Sequence, residues 1–180
     1  MRTIRQIHEW PAAVQELLAE SEREGFRFVR RAQNEWLTGT NRFAQAGEAL
    51  FGVFEGGRLV AIGGINRESG RCGRLRRFYV RRDGRRKGVG RQLVQHVLAF
   101  ACHHYSRVVL RCDTEVADRF YRAVGFRRMA SAAGLTHAMD LKTKPMSPPE
   151  PTPPNCAPGG KRRRPGLASC TGGRPGSWVT

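Results

Sequence analysis

RLRRFYVRRDGRRKGVGRQLVQHVLAFAC, residues 74–102, runs from a β-rich segment through an arginine- and glycine-rich loop into a helical repeat. Val89, Leu93, Val94, Val97, Leu98, Ala101 and Cys102 recur at helical spacing, which predicts a helix over 89–102. The first N–H groups of such a helix have no internal acceptor and lie at the positive end of its dipole, so a loop leading onto them can hold an anion. Gly88 and Gly90 leave the backbone approachable, while Arg85, Arg86, Lys87 and Arg91 raise the local potential. Neither G-x-G-x-x-G nor G-x-x-x-x-G-K-[ST] occurs here, which argues against a dinucleotide fingerprint and a Walker loop. What remains is Arg85-x-x-Gly88-x-Gly90 between a strand and a helix.

Outward from this stretch, RTIRQI reads as a short strand, and PAAVQELLAESEREG as a helix with Pro11 in its first turn. Val14, Leu17, Leu18 and Ser21 form its buried stripe, and Gly25 ends it. A weaker helical piece spans Phe28 to Leu37. ALFGVFEGGRLVAIGGI holds two β-rich runs joined by Glu55-Gly56-Gly57-Arg58, a hairpin signal. ESGRCG then breaks the chain before RLRRFYV. Beyond the long helix come RVVLRC as a strand, TEVADRFYRAVGF as a helix with Ala117, Phe120, Tyr121 and Val124 on one face, and THAMDLK as a last strand. This order predicts an α/β (α+β) fold with a mixed sheet and excludes a purely parallel doubly wound one.

Two segments, in this order, resemble the GNAT superfamily of N-acetyltransferases. RRKGVG at 85–90 matches the signature [RQ]-x-x-G-x-[GA] between strand and helix. TEVADRFYRAVGF at 114–126 matches N-x-x-A-x-x-FY-x-x-x-GF except at Thr114. The resemblance implies a largely antiparallel sheet, flanked by helices and splayed between its fourth and fifth strands, with acetyl-CoA as co-substrate in the gap and no metal. It places the pyrophosphate on the N–H groups of Arg86, Lys87, Gly88, Val89, Gly90 and Arg91, with Arg85 beside them. It places the pantetheine arm along the strand edge at Phe78, Tyr79 and Val80, and makes Tyr121 the general acid that protonates the departing thiolate.

Acetyl transfer to an amine needs a neutral nucleophile. A lysine-like amine, with pKa about 10.4, lies roughly 3.4 units above neutrality, a deficit of about 4.6 kcal/mol. A base is therefore sought, but the strand before the loop offers Arg74, Arg76 and Arg77 where some relatives carry a glutamate; Glu48, Glu55, Glu68 and Asp113 are the remaining candidates. Phe26, Phe28, Trp36 and Phe43 line the acceptor pocket or pack the core, with packing preferred. A site ringed by Arg30, Arg31, Arg42 and the strand arginines should repel polyamines and welcome an acceptor bearing a carboxylate or phosphate.

The chain of 180 residues carries 32 Lys+Arg against 15 Asp+Glu, a formal charge of +17. Residues 143–180 hold nine of the ten prolines, with six Lys+Arg and one acid; removing them leaves +12 on residues 1–142. The expected organisation is one domain over 1–142 and a disordered Pro/Gly/Arg-rich tail over 143–180. Five cysteines without CxxC spacing suggest a reduced compartment, and the sequence shows no apolar export segment or membrane span, so a cytoplasmic protein is expected. The expected acceptor is a small-molecule or peptide amine, and the chain a monomer or homodimer. Two alternatives remain open: a basic nucleic-acid-associated protein, with or without acetylation of an RNA-linked amine, and a non-catalytic acyl-CoA-binding member.

Overall fold

Gly56 and Gly57, with φ of +56° and +82°, close a two-residue turn of the kind that right-twisted strands require. It joins β2 (Ala49–Glu55) to β3 (Arg58–Ser69) as the sequence predicts. The structure, a computed structural model, describes residues 1–130 and 134–142. The remaining described elements are β1 (Arg2–Gln6), α1 (Val14–Arg23), α2 (Phe28–Leu37), β4 (Cys72–Val80), α3 (Val89–Ala101), β5 (Arg107–Leu110), α4 (Glu115–Val124), β6 (Arg127–Arg128) and β7 (His137–Asp140). The tail expected over 143–180 lies outside the described residues.

Most boundaries fall near their predicted places, with two differences. ESGRCG is a tight turn rather than a long break: β3 continues to Ser69, Gly70 takes φ +48°, and Cys72 begins β4. Pro11 stands in a turn before α1, where its carbonyl accepts from the Val14 N–H at 3.0 Å.

Among the described residues one sheet forms, in the order β1-β2-β3-β4-β5-β7-β6. Every pairing is antiparallel except β4 with β5. A parallel pair needs a crossover, and α3 supplies it. The β4–β5 pair holds only at Cys72–Arg74 against Arg107–Val109. From Leu75 onward β4 has no neighbour on that side, so the sheet opens into the predicted splay.

A bulge shapes the opening. Ile62 faces Tyr79 and Gly64 faces Arg76, so Gly63 alone opposes both Arg77 and Phe78. Arg77 takes φ +58°, unusual for a residue with a side chain, and the extra residue kinks and twists the strand. Gly63 is required there because a Cβ would overlap the Phe78 ring.

Helices cover both faces. Val89, Leu93, Val94, Val97 and Ala101 of α3 pack with Phe51, Val53, Leu75, Val108, Leu110 and the α4 residue Tyr121. On the other face Val14, Leu17, Leu18, Val29 and Trp36 pack with Leu50, Phe54, Leu59, Ile62 and Tyr79. Trp36 and Phe43 are core residues, and Phe26 and Phe28 lie half-buried against the Tyr79 ring, as the packing expectation held. No helix among the described residues is long and apolar enough to cross a membrane.

Candidate active site

The loop from β4 to α3 makes one 3-10 turn at Arg82–Gly84 and then two left-handed residues, Arg86 at φ +59° and Gly88 at φ +80°. Gly88 is the N-cap of α3 and has no side chain to satisfy the helix's opening donors. The Gln92 N–H reaches the Gly88 carbonyl at 3.0 Å, so Val89, Gly90 and Arg91 precede the first intrahelical bond. Arg2 braces the loop from β1: its guanidinium donates to the Lys87 carbonyl at 3.3 Å, to Gln92 Oε1 at 2.9 Å and to Glu55 at 2.6 Å.

The arginines of this loop divide into two groups. Arg81, almost wholly buried, meets Glu16 at 3.0 Å and Glu20 at 2.9 Å, and Arg85 meets Glu24 at 2.7 Å while donating to the Val80 carbonyl at 2.9 Å. These bind the loop to α1. Arg86 and Lys87 enter no ion pair among the described residues, and Arg91 donates to the Ala123 carbonyl at 3.3 Å. A cleft of about 600 Å³ is lined by Arg82, Arg85, Arg86, Val116 and Arg119, between the loop and the start of α4. A smaller one, about 330 Å³, interleaves Glu20, Glu24 and Asp83 with Arg23, Arg58, Arg81 and Arg82, which largely neutralise one another. No acidic residue lines the larger cleft, where Arg86 is the arginine without an ion pair among the described residues, while Arg85 meets Glu24 at 2.7 Å and Arg119 meets Glu115 at 3.5 Å.

The open edge of β4 carries Phe78, Tyr79 and Val80. Phe78 lies on the α4 side, its ring centre 6.4 Å from that of Phe120 and 6.3 Å from that of Tyr121. Tyr79 points oppositely, its hydroxyl donating to Glu24 at 3.2 Å; burial, then the charges of Glu24 and Glu20, push its phenol far up. Tyr121 is buried across the splay from Phe78, and burial raises its phenol well above the ordinary value. Thr114 is the N-cap of α4, its Oγ1 accepting from the Ala117 N–H at 3.2 Å, and Gly125 closes the helix at φ +111°.

The sequence profile of the acetyltransferase (GNAT) family matches residues 9–126. The chain belongs to this family. Among solved structures, a candidate acetyltransferase from Exiguobacterium sp. 255-15 is 32% identical, with a TM-score of 0.70 over 78% of this chain and 93% of that one. A GNAT-family acetyltransferase from Staphylococcus aureus Mu50 is 16% identical, with a TM-score of 0.62 over 78% and 100%. An acetyltransferase from Streptococcus agalactiae 2603 is likewise 16% identical, at 0.64 over 78% and 98%. No curated protein matches.

For a GNAT-family acyltransferase the carboxylates matter next. Glu55 is taken by Arg2, Glu68 by Arg74 at 3.4 Å, Asp113 by Arg111 at 3.0 Å, and Glu48 by the Arg67 N–H at 3.1 Å. The carboxylate nearest the bulge is Glu35 of α2, which the sequence reading did not single out. Its Oε1 lies 2.5 Å from the buried Arg77 guanidinium, and its Oε2 is buried with no hydrogen-bond partner among the described residues. The signal was unreadable in sequence because the two partners are 42 positions apart. Of the predicted acceptor-side arginines, Arg30 pairs with Glu22 at 2.8 Å and Arg42 donates to the Trp36 carbonyl at 3.1 Å. Arg76 enters no ion pair among the described residues; burial, then Arg77 and Arg74 beside it, lower its pKa.

Proposed function

We propose that the chain transfers the acetyl group of acetyl-CoA to a primary amine of a small molecule or peptide by direct attack. The supporting observation is a single juxtaposition: the splay beyond Arg74 opens beside the Gly88-capped start of α3, with Tyr121 across the gap from the β4 bulge. The N–H groups from Arg86 to Arg91 cradle the pyrophosphate, and Arg86 and Lys87, free of acidic partners among the described residues, supply its countercharge. The β4 edge at Phe78–Val80, unpaired on its β5 side, offers the pantetheine amides the hydrogen bonds a neighbouring strand would make. A backbone N–H at Tyr79 or Val80 polarises the thioester carbonyl.

The amine attacks that carbonyl carbon, the C–S bond breaks, the thiolate takes the Tyr121 proton, and the proton that the amine nitrogen loses as the amide forms passes through water to restore the phenol. Burial keeps this phenol protonated at neutral pH, as an acid must be. Arg76, crowded by Arg74 and Arg77 and without an acidic partner among the described residues, favours an acceptor that carries a carboxylate or phosphate besides its amine. A DTNB-coupled acetyl-CoA assay over a diverse amine library tests the proposal. Turnover is expected with anionic amino compounds ahead of spermine. Thermal stabilisation by acetyl-CoA without thiol release from any amine would overturn transfer in favour of binding alone.

A further inference from the structure

Behind Tyr121 three side chains from three elements converge that no sequence spacing connects. Asp118, in the first turn of α4, is clamped by Arg128 at 2.5 and 2.6 Å. It also meets Arg122 at 3.9 Å and His137 on β7, whose Nε2 lies 2.9 Å from Asp118 Oδ1. Arg128 first, and His137 after it, hold the Asp118 carboxyl down to about 2, so it is an anion and can only accept. When the imidazole is neutral, its proton sits on Nε2 toward this carboxylate, and Nδ1 presents a lone pair. Cys112, just beyond β5, holds its Sγ 3.6 Å from that Nδ1.

One group competes for the lone pair. Thr136 Oγ1 stands 2.9 Å from Nδ1, closer than the thiol, but the same hydroxyl lies 3.4 Å from the Leu110 carbonyl and 3.7 Å from Cys112 Sγ, and turning to either leaves Nδ1 to the thiol. Thr136 also fixes Cys112 in place, accepting the Cys112 N–H at 3.0 Å. His137 is almost fully buried, whereas Cys112 is only partly covered and joins the rim of half-buried groups that includes Phe78, Ala117 and Phe120. The thiol is thus an orientated nucleophile beside the His137 ring, whose centre lies 6.4 Å from that of Tyr121, with a base and an anion behind it.

We infer that Cys112 is a second acyl acceptor, self-acylated by the bound acyl-CoA when no amine is present. This rests on the acetyl-CoA reading above. The Cys112 proton passes to His137 Nδ1, and the resulting imidazolium is balanced by Asp118. The thiolate attacks the thioester carbonyl carbon and a new C–S bond forms. The C–S bond to CoA breaks, and the CoA thiolate takes the Tyr121 proton, which Nδ1 restores. One thioester replaces another, so free CoA reverses the step.

The full chain is incubated with acetyl-CoA and no amine, quenched in acid, and read by intact mass and peptide mapping, with amine acetylation measured on the same preparation. One acetyl group on Cys112 is expected, removed by neutral hydroxylamine or by excess CoA, and absent from Cys72 and Cys102. His137→Gln should slow its appearance about 100-fold, the usual worth of a positioned base. Asp118→Asn, which leaves the imidazole in place, provides a second test and should slow it as well, with folding of both checked by thermal melts. Amine acetylation without label on Cys112 overturns the inference and leaves the proposed function standing. Label on Cys112 without amine turnover supports the inference and overturns transfer to amines. Label spread equally over the cysteines overturns it too, since a merely exposed thiol would react that way.

Discussion

Replacing Gly90 with alanine, and then with glutamate, should separate stability from cofactor binding. Gly90 is the second residue of α3 and lies outside the left-handed region, so alanine fits its backbone. The added Cβ would sit 3.4 Å from Val80 Cγ2 and 3.4 Å from Phe120 Cζ, at the tight end of van der Waals contact. Alanine is favoured over glycine in a helix by up to about 1 kcal/mol, so Tm should hold or rise by about 2–4 °C. The signature [RQ]-x-x-G-x-[GA] admits alanine at this position, so the alanine protein should also keep its acetyl-CoA affinity, whereas a glutamate would set a carboxylate against the proposed pyrophosphate cradle. Losing one charge-assisted hydrogen bond as the cofactor shifts costs about 1.5–3 kcal/mol, a rise in the acetyl-CoA Kd of roughly 10- to 100-fold. Calorimetric titration with acetyl-CoA, paired with thermal denaturation, reads both quantities. A Gly90→Glu protein that binds acetyl-CoA within about twofold of the parent would refute the placement of the cofactor on this helix start.

Gly88→Ala, by contrast, meets no neighbouring atom but must adopt φ +80°, so it should cost about 1–2 kcal/mol in denaturant unfolding. Tyr121→Phe should lower kcat by about 100-fold and leave the acetyl-CoA KM near its parent value, because only the proton donor is lost; unchanged steady-state kinetics would exclude the acid role. Arg77→Ala removes the partner of Glu35 inside the fold and relaxes the bulge, with an expected loss of about 3 kcal/mol in urea unfolding. Asp118, whose folded pKa is depressed to about 2, contributes stability fully present above pH 4 and lost as pH falls from about 4 toward 2. Unfolding midpoints across that range should therefore fall more steeply in the parent than in Asp118→Asn.

The arginine excess of the loop illustrates where sequence reading stops. Arg85, Arg86, Lys87 and Arg91 read as a field for one anion, yet Arg85, with Arg81 before it, turns to Glu16, Glu20 and Glu24 on a helix some 60 residues earlier and acts as its fastening. Within the loop, Arg86 and Lys87 keep the expected posture of free positive charge, entering no ion pair among the described residues. The missing base shows the same limit from the acidic side, since all four carboxylates suggested by sequence are engaged elsewhere. Glu35 meets Arg77 only because α2 folds over the bulge.

What the sequence determined by itself was local or periodic. The repeat from Val89 to Ala101, the paired glycines of the first hairpin, and the two spaced motifs at 85–90 and 114–126 set the element order and the family, because each depends on residues within one or two turns of chain. Tertiary structure decided which charges cancel, where β4 bulges and leaves β5, and that Cys112, Asp118 and His137 meet. Those outcomes depend on packing between elements distant in sequence. A side chain's partner is chosen by the shape and burial of the assembled sheet and helices, and no spacing along the chain encodes it.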